Sequence, residues 1–157
     1  MKTTDYLGLP VKNATAVVKE LQQLLADYQL YYTNLRGFHW NIKGKQFYTL
    51  HAKFEEFYDN AAEKVDEIAE RILMLGGVPA HNFSDYLKVS KIKETGVVSD
   101  PNEIVQLLLD YLKGLIAQER KTIETASEGG DEATADLLTG FLGEQEKTVW
   151  MLTAYLS

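Results

Sequence analysis

Residues 46–75, QFYTLHAKFEEFYDNAAEKVDEIAERILML, carry one continuous helical pattern. Apolar side chains recur every three or four positions, which is the spacing of one face of an α-helix. They form a single stripe: Phe47, Leu50, Phe54, Phe57, Tyr58, Ala61, Val65, Ile68, Ile72 and Leu75. Gly76, Gly77 and Pro79 follow, and these are residue types that end helices. The stretch therefore predicts an amphipathic helix of about eight turns.

Three further helical patterns accompany this stretch, and no segment predicts a convincing β-strand. Helices are expected over residues 11–37, 100–127 and 131–155, with Gly37 marking the end of the first. Residues 100–103, Asp-Pro-Asn-Glu, open the third helix with a capping aspartate, a proline at the first helical position and a glutamate three residues after the cap. The chain is therefore expected to be all-α.

The connections between the helices predict how they are arranged. Short turns join helices one and two, and helices three and four, so each pair should form an antiparallel hairpin. Residues 76–99 make a long connection between the hairpins, with a short helix expected near residues 84–87. Two hairpins joined by one long crossover is the ferritin-like arrangement of a four-helix bundle. Since no internal repeat or linker is visible, residues 1–157 are expected to form a single domain of this kind.

Composition and charge narrow the class of protein. The chain has no cysteine, which excludes disulfides, thiolate metal sites and cysteine nucleophiles. No apolar run approaches the roughly 18 residues of a membrane span, and residues 1–10 carry no secretory signal. A soluble, cytoplasmic protein with no membrane partner is therefore expected. The net charge of −7 argues against a surface that binds phosphates strongly, and it suits a protein that gathers cations.

The histidines indicate which kind of metal site the chain lacks. There are three, His39, His51 and His81, and all precede the third helix. A di-iron site inside one bundle uses inward carboxylates together with Glu-x-x-His pairs. The pattern Glu-x-x-His does not occur in this sequence. A metal site of the ordinary intrachain kind is therefore not expected, and any site must be built in another way.

The second helix carries a narrow polar sector beside its apolar stripe. At about 100° per residue, one histidine and three carboxylates fall within about 100° of one another: His51, Glu55, Asp66 and Glu70. Ala62 and Ala69 lie between this sector and the stripe, where small side chains would let another backbone come close. Carboxylate and imidazole ligands suit a hard or borderline cation such as iron.

The length of the helix limits how such a site could form. His51 and Asp66 are 15 residues apart, about 22 Å along a helix axis, whereas metal–ligand bonds are about 2 Å. An antiparallel copy of the same helix would bring them together across a two-fold axis near residues 58–61, giving two equivalent sites per dimer. The residue pattern alone leaves an alternative open, in which the sector is a solvated helix face and His39 caps or packs a helix end.

A resemblance in the local sequence bears on this choice. Residues 34–41, NLRGFHWN, are followed by a spaced set of residues: Gly44, Phe47, Leu50, His51, Phe54, Glu55 and Tyr58. Together with residues 66–72, DEIAERI, they closely resemble the signature of the Dps family, strongly over residues 30–80 and more loosely over the whole chain. The resemblance implies a mini-ferritin that forms a hollow homo-dodecamer built from two-fold dimers. It also implies that ferrous iron is oxidised, preferably by hydrogen peroxide, that ferric mineral is stored inside, and that the cell is protected against oxidative stress.

Position by position, the resemblance implies a ferroxidase site with ligands from two chains: His39 and His51 of one chain, Asp66 and Glu70 of its two-fold mate. Glu55 matches an accessory ligand position, and Trp40 lies beside the site. This partition of the ligands between two chains agrees with the one that follows from the length of the helix.

Other acidic groups have weaker assignments. Three carboxylates flank the ligand sector and would either face a mineral cavity or simply be solvated: Glu56, Asp59 and Glu63. Asp131 and Asp136 resemble the acidic lining of the family's three-fold iron pores, although a helix N-terminus attracts acids in any case. His81 matches nothing in the resemblance and is expected to be structural.

DNA binding is the one implied property that the sequence does not support. Family members that coat DNA often use a lysine-rich tail, whereas Lys2 is the only basic residue before Lys12 here. Lys88, Lys91 and Lys93 form a modest cluster that a solvated loop explains equally well. Strong DNA binding is therefore not expected. A DNA-compacting nucleoid protein with incidental ferroxidase activity is kept as the alternative, and a purely structural helical oligomer is the third hypothesis.

Overall fold

The computed structural model describes residues 3–157, and every regular element in that range is a helix. Six helices follow in order: α1 Thr4–Leu7, α2 Val11–Asn41, α3 Phe47–Met74, α4 Phe83–Val89, α5 Pro101–Glu128 and α6 Glu132–Leu156. The prediction of four long helices and a short crossover helix is confirmed. Only α1 was not predicted, because four residues are too few to show a helical period. Lys2 lies outside the described residues.

The four long helices form two hairpins. α2 packs along α3, α5 packs along α6, and contacts between α2 and α5 join the two pairs. Residues 75–100 connect α3 to α5, and α4 within this crossover packs on α2. The Asp27 carboxylate anchors the crossover, since it accepts from Ser90 Oγ at 3.0 Å and from the Lys91 backbone N–H at 2.7 Å. This is the ferritin-like arrangement predicted from the connections. No helix within residues 3–157 is long and apolar enough to cross a membrane.

The apolar stripe of α3 faces the core as predicted. Its buried members join side chains of α2 and α5 in one continuous cluster: Leu50, Phe54, Ala61, Ile68 and Ile72. Burying a large apolar side chain stabilises the fold by roughly 1.5–3 kcal/mol, so the stripe fixes the rotation of α3 about its axis. The polar sector on the other side of the helix is consequently turned outward.

Aspartates cap two of the helices, and the cap by Asp100 was predicted. The Asp100 carboxylate accepts from the backbone N–H of Glu103 at 2.9 Å at the start of α5. The Asp131 carboxylate accepts from the backbone N–H of Thr134 at 3.0 Å at the start of α6. Each cap satisfies one of the N–H groups that the first turn of a helix leaves without a partner.

The prediction that Gly37 ends the first helix is wrong, because α2 continues to Asn41. Gly37 has no positive φ and lies in ordinary helical conformation. Glycine costs a helix about 1 kcal/mol relative to alanine. Phe38 and Ile42 are only 1% and 2% exposed, and their burial outweighs that cost. Tertiary packing therefore carries the helix one turn past the residue that local propensity would choose as its end.

Candidate metal site

Two of the predicted ligands meet where α2 ends and α3 begins. His39 lies in the last turn of α2, and His51 lies in the second turn of α3. Their imidazole rings stack, with centroids 3.7 Å apart and planes 17° from parallel. The extra turn of α2 beyond Gly37 makes this contact possible, because it carries His39 on a helix rather than in a loop.

Each histidine ring is held by the backbone of the other histidine. His39 Nδ1 lies 2.6 Å from the carbonyl oxygen of His51, and His51 Nδ1 lies 2.7 Å from the carbonyl oxygen of His39. A carbonyl oxygen can only accept, so both Nδ1 atoms carry the hydrogen and donate it. In the neutral rings both Nε2 atoms then keep their lone pairs. Histidines that bind metals commonly donate their second ring N–H to a carbonyl or carboxylate in this way.

The His39 carbonyl can accept this bond because of its position at the end of α2. The last four carbonyls of a helix have no intrahelical N–H partner. The Lys43 N–H, four residues further along, donates instead to the carbonyl of Ser99 at 3.1 Å. His51 therefore satisfies a helix-end carbonyl and ties the start of α3 to the end of α2.

Aromatic side chains pack around the histidine pair. His39 is 7% exposed, and the Tyr58 ring meets it edge-on with centroids 5.4 Å apart. Phe47 stacks on His51 with centroids 4.9 Å apart. Trp40, the residue after His39, is 62% exposed. Packing and hydrogen bonding together fix the orientation of both imidazoles before any ligand arrives.

The three predicted carboxylate ligands lie on the outer face of α3. Glu55, Asp66 and Glu70 are all exposed, and none of the ion pairs within residues 3–157 involves them. Asp66 and Glu70 are about four to five helical turns from His51, roughly 22–29 Å along the axis. Within the described part of the chain, no group of three or more His, Cys, Asp or Glu side chains could hold a metal ion. One subunit thus brings the two histidines together but not the acids.

The two aspartates assigned to a pore lie in different environments. Asp131 is 3% exposed, and besides capping α6 its carboxylate accepts from Arg71 Nη2 at 2.7 Å. Its oxygens are thus committed to an ion pair and a helix cap, which leaves them unsuited to line a pore. Asp136, on the first turns of α6, is exposed. The pore hypothesis therefore depends on Asp136.

The remaining singled-out residues lie on the surface. Asp59 and Glu63 are exposed on α3, and Glu56 is exposed and paired with Lys53. His81 is exposed in the crossover, a position that gives it no part in the packed core.

A cluster of polar side chains inside the bundle was not predicted. Each of the four long helices contributes one member that is at most 5% exposed: Tyr28, Lys64, Glu119 and Gln145. A signal for it was present, since Glu119 follows the buried Leu115 by one helical turn, and Lys64 lies between the buried Ala61 and Ile68. Both residues were missed because only apolar residues were predicted to be buried in the core.

Comparison with known families first identifies the class of protein. The family described as the ferritin-like domain matches residues 18–157, which is most of the chain and includes the four long helices almost entirely. The chain is therefore a ferritin-like protein, as the two hairpins and the long crossover indicate.

Individual relatives narrow this class. A DNA protection during starvation protein of Porphyromonas gingivalis is 50% identical over 154 residues, which cover 98% of this chain and 97% of the relative. A Dps crystal structure from Vibrio cholerae, described as a member of a broad superfamily of ferritin-like diiron-carboxylate proteins, matches with a TM-score of 0.93 at 47% identity, covering 95% of this chain and 94% of that chain. A Dps structure from Bacillus brevis matches with a TM-score of 0.90 at 36% identity, covering 93% of this chain and 98% of that one. This chain belongs to the Dps family.

Proposed function

We propose that this protein is a ferroxidase that oxidises ferrous iron with hydrogen peroxide at sites shared by two subunits, and that it stores the ferric product. The observation that carries the proposal is the His39–His51 pair, in which carbonyls hold both Nδ1 atoms and both Nε2 lone pairs are free. Membership of the Dps family supports it, because the Vibrio cholerae relative is described as belonging to the ferritin-like diiron-carboxylate superfamily.

A second copy of the chain supplies the ligands that one subunit lacks. Asp66 and Glu70 lie too far along α3 to reach the histidines of their own subunit. Two antiparallel α3 helices, crossing a two-fold axis near residues 58–61, would place the acids of one chain beside the histidines of the other. Ala62 is exposed and Ala69 is half-buried on this face, so two backbones can approach closely there. Such an isologous dimer has two identical sites.

The resulting ligand set suits iron oxidation. The carboxylates of Asp66 and Glu70 offset the charge of the ion and favour the ferric product, while two neutral imidazole nitrogens complete the set. Few protein ligands leave positions open for water and peroxide, as catalytic metal sites require. Two ferrous ions each lose one electron, and one hydrogen peroxide accepts both, so that its O–O bond breaks and two hydroxide ions form. Glu55, one turn after His51, is proposed as an accessory ligand.

The shared sites are proposed to belong to a larger shell. Twelve subunits, arranged as six such dimers, would enclose a hollow space in the cytoplasm where ferric mineral collects. Carboxylates on the adjoining face of α3 would then be available to the growing mineral: Glu56, Asp59 and Glu63. The exposed Asp136 would draw ferrous ions toward pores in the shell. Removing iron and peroxide together would protect the cell from oxidative damage.

Names of relatives raise a second function. Proteins from Porphyromonas gingivalis and Bacillus anthracis are named for DNA protection during starvation. We propose that protection by this chain works by removing iron and peroxide rather than by coating DNA. The net charge of −7 favours this reading, because binding to the phosphate backbone depends on lysine and arginine contacts.

Mixing two mutant subunits tests the shared site. His51→Ala and Asp66→Ala should each abolish most iron oxidation, since every site in the homo-oligomer then lacks one ligand. A mixed dimer of the two has one site that lacks both ligands and one intact site, so it should recover about half of wild-type activity. The measurement is peroxide-driven formation of ferric iron, followed by absorbance in dimers whose mixed composition has been verified.

A matched mixture supplies the control. His51→Ala and His39→Ala remove ligands from the same half of each site, so no intact site can form in their mixed dimer. That mixture should stay inactive. Recovery in neither mixture would reject the shared site, and recovery in both would show that the histidines of one chain do not act together.

A further inference from the structure

The centre of the bundle contains a carboxyl group in unusual surroundings. Glu119 on α5 is fully buried. Its Oε1 accepts from the Tyr28 hydroxyl at 2.6 Å and from Gln145 Nε2 at 2.8 Å. Both donors are neutral, and no ion pair within residues 3–157 involves Glu119. The carboxyl group is therefore hydrogen-bonded without a cation in direct contact.

Two oxygen atoms in this cluster have no hydrogen-bond partner among the described residues. They are Oε2 of Glu119 and Oε1 of Gln145, and both are buried. A buried polar atom without a partner costs roughly 1–3 kcal/mol, and more when it is charged. The arrangement thus favours a neutral Glu119, or else an additional hydrogen-bond donor from outside the protein.

A cavity brings solvent close to the cluster. It lies between α3 and α6, has a volume of about 250 Å³, and reaches Tyr28, Lys64 and Gln145 at its inner end. One water molecule takes up about 30 Å³ of liquid, so several fit. Glu119 lies directly behind two of these residues, through its hydrogen bonds to Tyr28 and Gln145. The cavity thus ends at side chains that contact Glu119 directly.

The nearby cation is already engaged. Lys64 Nζ donates to Asn60 Oδ1 at 2.8 Å and pairs with Glu144, and it lies 4.9 Å from the centroid of the Phe141 ring. Its charge reaches Glu119 only through space, as does that of Arg120 on α5, which pairs with Glu146.

Each neighbouring element contributes to the electrostatic balance at Glu119. Burial raises the pKa of Glu119 from 4.5 to about 7, although hydrogen bonds from Tyr28 and Gln145 and the charges of Lys64 and Arg120 act in the opposite direction. Burial also raises the pKa of Tyr28 well above its ordinary value, and it raises the pKa of the nearby Tyr31 as well. Both phenols therefore stay neutral donors.

We propose that the centre of each bundle is a proton-controlled hydration site. Glu119 carries a proton while the centre is closed, and loss of that proton draws water from the cavity between α3 and α6 to its unpartnered oxygen. The group binds protons more tightly in the folded chain than in the unfolded chain. The contribution of Glu119 to folding stability is therefore complete below about pH 4.5 and is lost as the pH rises through about 7.

Thermal unfolding of the assembled protein tests the proposal. Glu119→Gln makes the group permanently neutral with almost unchanged shape, and Glu124→Gln is the matched control at an exposed position on α5. Relative to wild type, Tm of Glu119→Gln should rise by several degrees between about pH 5 and about pH 8, while Glu124→Gln should follow wild type. If the Glu119→Gln and wild-type profiles stay parallel across this range, the switch does not exist.

Two measurements on the wild-type chain keep the test decisive if Glu119→Gln folds poorly. Infrared spectra should show the carbonyl stretch of a buried protonated carboxyl group at about pH 5, and this band should disappear by about pH 8.5. Hydrogen–deuterium exchange around residues 116–122, corrected for the intrinsic effect of pH, should accelerate over the same interval. A missing band at acid pH would overturn the protonated centre, and unchanged corrected exchange would overturn its hydration.

Discussion

At the scale of single residues, the site depends on the backbone as much as on the side chains. The spacing of His51, Asp66 and Glu70 along one helix predicts that two chains share the ligands, and this stays a prediction. The reciprocal bonds between His39 and His51 could not be predicted in this way. They require the His39 carbonyl at the end of a helix that continues past Gly37. Side-chain periodicity carries no information about which carbonyl a helix end leaves free.

Asp131 and Asp136 allow a structural role to be separated from a role in iron uptake. Asp131→Asn leaves the half-buried Arg71 without its carboxylate, although asparagine can still cap α6, so it should lower the free energy of unfolding by about 2–3 kcal/mol. Asp136→Asn should change stability by less than about 0.5 kcal/mol, because Asp136 is exposed. It should instead slow iron uptake. Denaturant unfolding and rates of iron uptake, measured on both variants, would distinguish the two roles. An Asp131→Asn chain of unchanged stability would contradict the structural role of Asp131.

At the scale of helices, hydrophobic periodicity predicted the four long elements because each buries a long apolar face. It failed where packing and local propensity conflict. α2 passes Gly37 because Phe38 is buried in the core, and a pattern read from local residues places the end too early. The buried Lys64 and Glu119 were missed for a related reason, since a polar residue on the inner face looks like a break in the stripe unless its partners on other helices are known.

Two glycine substitutions test the corrected boundary of α2. A Cβ added at Gly37 would meet no atom within 4 Å, so Gly37→Ala should stabilise the helix by about 0.5–1 kcal/mol. Gly76 is the matched control, because its φ of +81° is one that alanine adopts only with strain. Gly76→Ala should destabilise the protein by about 1 kcal/mol or more. Unfolding midpoints measured side by side should shift in opposite directions, and a loss of stability in both would contradict a helical Gly37.

At the scale of the whole molecule, charge decides which partners the surface can accept. A net charge of −7 leaves little attraction for the phosphate backbone of DNA, and each side chain in the cluster of Lys88, Lys91 and Lys93 already has a partner within the chain. Lys88 pairs with Asp85, Lys91 donates to Gln118, and Lys93 donates to the carbonyl of Ser90. The surface charge therefore supports the proposal that protection does not require contact with DNA.

A gel-shift titration tests this view of the surface. At about 150 mM salt the assembled protein should cause little retardation of a DNA duplex, because phosphate contacts are few and salt weakens them steeply. A Dps protein with a lysine-rich tail is the suitable positive control. A tight complex that persists at that salt would favour the DNA-compacting alternative.

Assembly tests the two-fold interface on which the shared site depends. Twelve chains of 17.8 kDa should form a particle of roughly 210 kDa, measurable by light scattering.

Ala62 is exposed on the face where two α3 helices are expected to meet, so Ala62→Arg should insert a long charged side chain between them. The variant should dissociate and lose peroxide-driven iron oxidation together, because its histidines no longer have the acids of a second chain. Glu124 on α5 is the control position, since it is also exposed and lies on a different helix from the expected two-fold contact. Glu124→Arg should keep both the particle and its activity. A wild-type chain that remains monomeric at micromolar concentration would contradict the shell, and an Ala62→Arg monomer that still oxidises iron at the normal rate would show that one chain is sufficient.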